Sequence, residues 1–167
     1  MKKKTLTPPE AVPGQCRYGA VRFEIDYPAR WAWHDHTQAS RLAHGAAYAT
    51  YIGSWRKRFR VTAGEADIAR YEDVAVGTTR SFCRCCGTPL LYDYFESKHI
   101  NLTTGSFDDP SRFAPRFQFG LEARLPVFAD LPIQAEGTTE ETMADLVAAI
   151  AATNHQHPDH DTESWPE

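Results

Sequence analysis

Arg80-Ser81-Phe82-Cys83-Arg84-Cys85-Cys86-Gly87-Thr88-Pro89-Leu90 is the stretch on which the fold of this chain turns. It holds three of the four cysteines in the sequence. Cys83 and Cys86 make a C-x-x-C pair followed by glycine. Two thiolates at that spacing reach one tetrahedral ion, and a glycine lets the backbone turn behind it. Such a knuckle needs further ligands from elsewhere. The remaining cysteine is Cys16, in Gly14-Gln15-Cys16-Arg17-Tyr18-Gly19. Cys85 is a possible fourth ligand, although adjacent residues rarely both turn toward one ion. The competing reading is that these cysteines are small buried hydrophobes.

The strands around the knuckle set the class. Pro89-Leu90-Leu91-Tyr92-Asp93-Tyr94-Phe95 is strongly β-prone. Ile100-Asn101-Leu102-Thr103-Thr104 reads as a strand running into the turn at Gly105-Ser106. Upstream, Val21, Phe23 and Ile25 alternate with polar residues and share one face, and Tyr27-Pro28 ends that strand. Trp31-Ala32-Trp33-His34-Asp35-His36 reads as extended. Residues 41–47 form a loop or one short helix. Ala49-Thr50-Tyr51-Ile52 is a strand closed by Gly53-Ser54, and residues 59–64 are another. Tyr71 is expected to pack inward, and residues 113–119 lead into a last short strand.

Towards the C-terminus the period changes. Thr138 and Glu141 offer a capping box, and Met143, Leu146, Val147 and Ile150 follow at helical spacing. The expected organisation is a flexible arm over residues 1–13, a β domain over 14–133, a helix over 134–154 and a disordered, histidine-rich tail over 155–167. The fold class is therefore mainly β: short antiparallel sheets around a knuckle-like centre, with one C-terminal helix.

With 167 residues, 42% hydrophobic and 24% charged, the chain has the composition of an ordinary globular domain. A net charge of −4 gives no general attraction to nucleic acid or anionic lipid. No apolar run reaches the roughly 18 residues of a membrane span, and no apolar core follows the basic Met1-Lys2-Lys3-Lys4. The expectation is a cytoplasmic protein, where clustered thiols bind metal rather than form disulfides.

Several motifs in order resemble one known family. Gly14-x-Cys16-x-x-Gly19-Ala20-Val21-Arg22-Phe23 resembles the opening G-x-C-x-C-G-x-V-R-F/Y of the GFA family, relatives of the glutathione-dependent formaldehyde-activating enzyme and of centromere protein V. Gly45-Ala46-Ala47-Tyr48-Ala49 is similar to its G-x-A-F-A segment. Arg80-Ser81-Phe82-Cys83-x-x-Cys86-Gly87-Thr88-Pro89-Leu90 is similar to R-x-F-C-x-x-C-G-T-P-L. Gly105-Ser106-Phe107-Asp108-Asp109-Pro110 resembles a G-S-L-D-D-P turn.

The resemblance implies an all-β, tent-like fold and a carbon–sulfur lyase acting on a thiol adduct, such as one of glutathione with an aldehyde. It also implies two zinc sites. The structural one maps to Cys16, Cys83 and Cys86, with Tyr18 in place of a fourth cysteine, so at most one zinc per chain is expected there. The catalytic one, from a C-H-C-x-x-C-R segment, maps onto Asp35-His36-Thr37-Gln38-Ala39-Ser40-Arg41. Histidine and arginine match, but Asp35, Thr37 and Ser40 stand where the family has cysteines.

Asp35, His36, Ser40 and Arg41 are thus the candidate residues of a remnant catalytic site. Hydroxyls are poor zinc ligands beside thiolate or imidazole. A shifted register offers His34 and His36, with His44 or Asp35, as a substitute metal site. The simpler reading is that His34, Asp35 and His36 hydrogen-bond one another in a polar pocket, with Asp35 orienting the His36 imidazole. Arg56, Lys57, Arg58 and Arg60 beside Trp55 form one basic cluster, which on an alternating strand is a solvated face; no nucleic acid partner is expected. Two functions follow: an impaired GFA-like enzyme acting on a small thiol or aldehyde adduct, or a non-catalytic binding module that keeps the fold.

Overall fold

Val21, Phe23 and Ile25 are buried while Arg22 and Glu24 are half-exposed, as their alternation requires. The structure, a computed structural model, describes residues 9–128. Its strands in order are β1 (Ala11–Gln15), β2 (Arg22–Asp26), β3 (Trp31–Asp35), then helix α1 (Gln38–His44), β4 (Ala49–Trp55), β5 (Phe59–Ala63), β6 (Ile68–Asp73), β7 (Thr78–Cys83), β8 (Pro89–Tyr94), β9 (His99–Thr103) and β10 (Phe117–Phe119). The mainly β expectation is met.

Two sheets form. The smaller has the order β1-β2-β5 and the larger β10-β3-β4-β9-β8-β7-β6. Neighbours pair antiparallel except β10, which runs parallel to β3. A shared apolar core lies between the sheets, with Phe23 and Ile25 from β2, Leu90 and Leu91 from β8, and Ile100 and Leu102 from β9. Phe23 meets Phe107 edge-on, with ring centroids 5.2 Å apart.

Four local expectations are corrected. β1 begins at Ala11, so the last residues of the expected arm are strand; Pro13 is tolerated because β1 is an edge strand. Gly53-Ser54 do not close β4, which continues to Trp55. A Cβ at Gly53 would collide with the Trp31 indole, so the glycine instead lets that ring lie across the sheet. Tyr71 is exposed, not inward, on edge strand β6. Arg56–Arg58 is a single 3-10 turn rather than part of an alternating strand.

Gly64 has φ +70°, and the Ala20 carbonyl lies where its Cβ would be; no other residue fits that turn. The expected helix over 134–154 and tail over 155–167 lie outside the described residues. No helix among the described residues is long and apolar enough to cross a membrane.

Candidate functional site

Cys16 follows β1, Cys83 ends β7, and Cys86 lies in the turn before β8. Their Sγ atoms all lie within 4.8 Å of one another, a group that could hold a metal ion. Cys16 and Cys83 are fully buried. Burial pushes Cys16 up to about 11 and raises Cys83 as well. Burial also raises Cys86, but the Thr88 hydroxyl, with the Thr88 and Tyr18 backbone, outweighs it and brings that thiol to about 7. The Thr88 Oγ1 is 3.1 Å from Cys86 Sγ. Cys85 is exposed and does not join the group. Tyr18, expected to stand in place of a fourth cysteine, is 53% exposed. Three thiolates suit zinc, which favours sulfur donors.

The segment after β3 is built differently. Asp35 Oδ1 accepts the Thr37 N–H at 2.9 Å. Thr37 in turn caps α1: its Oγ1 accepts the Ser40 N–H at 3.3 Å. Ser40 is fully buried, and its Oγ accepts from Arg80 Nη2 at 3.3 Å. Arg80 Nη1 donates to the Tyr51 hydroxyl at 2.9 Å, and that hydroxyl is 2.9 Å from His44 Nε2. Burial first, and the Arg80 charge second, lower His44 to about 4, so its imidazole is neutral where it meets the Tyr51 hydroxyl.

The histidines part company. His34 Nδ1 pairs with Thr50 Oγ1 across β3 and β4 at 2.9 Å. His36 Nε2 pairs with Gln118 Oε1 at 2.8 Å, and its backbone N–H reaches the Phe119 carbonyl. Both rings flank Tyr48, whereas His44 lies against Tyr51. The expected mutual bonding of His34, Asp35 and His36 is therefore replaced by bonds to Thr50, Thr37 and Gln118. Nor do His34, His36 and His44 gather into a metal set; among the described residues the cysteine group is the one such cluster. His36 Nδ1 and Arg41 Nε are buried without partners among the described residues.

A cleft of about 470 Å³ opens on one face of the large sheet, beside Asp35 and Thr37. Its aromatic walls come from alternate residues of three strands: Trp31 and Trp33 on β3, Tyr92 and Tyr94 on β8, Phe117 and Phe119 on β10. Trp33 and Phe117 are parallel, 4° apart, with centroids at 6.0 Å. Arg80 enters over Tyr92, its guanidinium carbon 4.3 Å from the ring centroid, and Asn101 completes the floor. Burial, then the neighbouring Tyr94, raises the Tyr92 phenol. Sequence reasoning marked Asp35 but missed Arg80, Tyr51, Tyr92 and Asn101 as site residues. The available signal was the aromatic alternation at 31–33 and 92–94.

The basic cluster near Trp55 borders a separate hollow with Lys57 and Lys98. Two of its cations are already paired, Arg56 with Asp93 at 3.2 Å and Arg60 with Glu24 and Asp26.

The family model of the glutathione-dependent formaldehyde-activating enzyme matches residues 11–122. No curated protein matches the sequence. Among solved structures, a crystal structure of a Rhodobacter sphaeroides protein is similar, with a TM-score of 0.53 and 18% identity, over 64% of this chain and 98% of that one. At that identity the likeness is one of fold.

Proposed function

Because the chain belongs to the family of the glutathione-dependent formaldehyde-activating enzyme, its departures from the family pattern carry the functional reading, and we propose a GFA-fold binding protein. It keeps one thiolate zinc site and uses its cleft to hold a small organic molecule, without the family's zinc-dependent carbon–sulfur chemistry.

One observation supports this above the rest. Each side chain that replaces a catalytic cysteine already spends an oxygen on the protein: Asp35 on Thr37, Thr37 on Ser40, and Ser40 on Arg80. Three thiolates would bring three negative charges; Asp35 brings one, and Arg80 sets a positive charge on Ser40. A divalent cation there gains neither good donors nor charge neutralisation. The residues present do not fit a catalytic zinc.

Cys16, Cys83 and Cys86 do fit a zinc ion, whose role there is to tie the turn after β1 to the turn before β8. Metal bound by knuckle thiolates contributes directly to folding free energy. In the cleft, the aromatic walls exclude water, Arg80 orients an anionic group and Asp35 accepts a hydrogen bond from the ligand. The family implies a small thiol or aldehyde adduct as occupant; nucleic acid is not expected.

The lyase reading has one observation in its favour: Asp35 is a carboxylate at the cleft wall, able to move a proton, and acid–base help of that kind supplies about 10²–10⁴-fold. Exchange-sensitive NMR of S-hydroxymethylglutathione, with protein and added zinc, separates the two. No catalysed exchange is expected. A catalysed rate abolished by Asp35→Ala or His36→Ala would overturn the binding-protein reading.

A further inference from the structure

Three polar groups reach the cleft with unused bonding capacity. Asp35 is only 4% exposed. Its Oδ1 serves Thr37, and among the described residues no lysine, arginine or histidine lies within ion-pair distance of it. A buried carboxylate without a cation is costly. Arg80 spends two of the five N–H groups of a guanidinium on Tyr51 and Ser40 and meets no carboxylate within ion-pair distance among the described residues. Asn101, a residue 8% exposed overall, lines the cleft, and its side-chain amide has no hydrogen bond to a described residue. The free polar atoms of all three open onto one cleft, so a single ligand can take the bonds that the protein leaves unmade.

We propose that the cleft binds an α-amino-acid-type zwitterion with a flat apolar side chain. This rests on the reading that no catalytic zinc occupies the region. The ligand's ammonium answers Asp35, its carboxylate answers Arg80, and Asn101 bonds either polar end. The side chain lies against the six rings, where aromatic contacts favour offset or edge-to-face packing. A purely anionic ligand leaves Asp35 buried and facing a like charge. A purely cationic one enjoys the aromatic box but faces Arg80. The opposite charges on the protein select a ligand carrying both.

The test is an NMR titration of the full chain, zinc-loaded, following the tryptophan indole N–H signals. Trp31 and Trp33 line the cleft and report directly. The probes are L-phenylalanine, 3-phenylpropionate and 2-phenylethylamine. L-phenylalanine is expected to bind, and each analogue lacking one charge to bind about 10–100-fold more weakly, the value of one charge-assisted hydrogen bond. Asp35→Asn should weaken L-phenylalanine and leave 3-phenylpropionate unaffected or improved. Arg80→Gln should weaken L-phenylalanine and not 2-phenylethylamine. Should Arg80→Gln fail to fold, the three ligands on the unmodified protein decide alone. Equal binding of all three, or no binding of L-phenylalanine at tens of millimolar, overturns the proposal. Such a failure leaves the non-catalytic reading intact, whereas catalysed exchange of the glutathione adduct removes that reading independently.

Discussion

Arg80 Nη2 lies 3.3 Å from the Oγ of Ser40, joining β7 to α1. The guanidinium thus rests on the hydroxyl of a fully buried serine. Both residues also adjoin Tyr51, whose hydroxyl collects Arg80 and His44 at 2.9 Å each. Ser40, Arg80, Tyr51 and His44 form one hydrogen-bonded chain centred on a buried phenol.

Replacing Tyr51 by phenylalanine should therefore cost more than one average hydrogen bond. The ring is fully buried, and its loss of oxygen strands Arg80 Nη1 and His44 Nε2 together. An unsatisfied buried group costs about 1–3 kcal/mol. Urea denaturation of Tyr51→Phe should show a lowered midpoint with unchanged slope. A midpoint equal to the parent's would mean that water serves both partners and that the chain is not structural.

The thiol cluster carries a stoichiometric expectation. One zinc per chain should bind, and Cys83→Ser should lose it along with several kcal/mol, roughly the contribution of a structural metal ligand. Cobalt substitution gives a readout independent of activity: thiolate-to-metal charge-transfer absorption that vanishes when Cys16, Cys83 and Cys86 are replaced. Two metal ions per chain, or a metal that survives the triple replacement, would overturn the assignment of a single site to these thiols.

His44 sets a pH dependence. Its ordinary value of 6.5 falls to about 4 in the folded chain, through burial first and the Arg80 charge second, with Asp35 opposing. Below pH 6.5 the unfolded chain takes up the proton that the folded chain refuses. Stability is therefore complete above about 6.5 and declines as pH falls toward 4. Because the ring is partly solvated, screening holds the loss to on the order of 2 kcal/mol. His44→Gln, whose amide can still hydrogen-bond the Tyr51 hydroxyl, should flatten that part of the stability–pH curve. An unaltered slope in the variant would assign the decline to other groups.

The parts legible in the sequence are those set by neighbours along the chain. Val21, Phe23 and Ile25 announce a half-buried strand by period alone, and the C-x-x-C-G spacing announces a turn that brings two sulfurs together. Cys16 could be added because few cysteines compete for the role. Arg80 could not be placed. Its site role depends on β7 lying across β8, β9 and β4 from β3, an order that no local pattern states. His34 and His36 show the same limit: period placed them near each other, but the neighbours that take their nitrogens, Thr50 and Gln118, come from β4 and β10. Gly53 misled for a related reason. Glycine and serine together read as a turn, whereas here the missing side chain makes room for a ring from the adjacent strand.

That ring gives the sharpest structural prediction. Trp31 pairs with Gly53 in register, and its indole covers the space that a Cβ would take, against the backbone of β4. Gly53→Ala must therefore push the indole outward or bend β4, and overpacking of this kind costs about 1–3 kcal/mol. The indole also lines the cleft, so displacing it should change the cleft as well as the stability. Trp31→Ala removes the clash but opens the wall. The double variant Trp31→Ala/Gly53→Ala should then be more stable than the sum of the two single losses, because the added methyl fills space the indole has vacated. A double-mutant cycle by denaturation measures this coupling directly. Strict additivity would mean that the ring and the strand do not compete for the same volume, and the account of why β4 runs unbroken through Gly53 would fall with it.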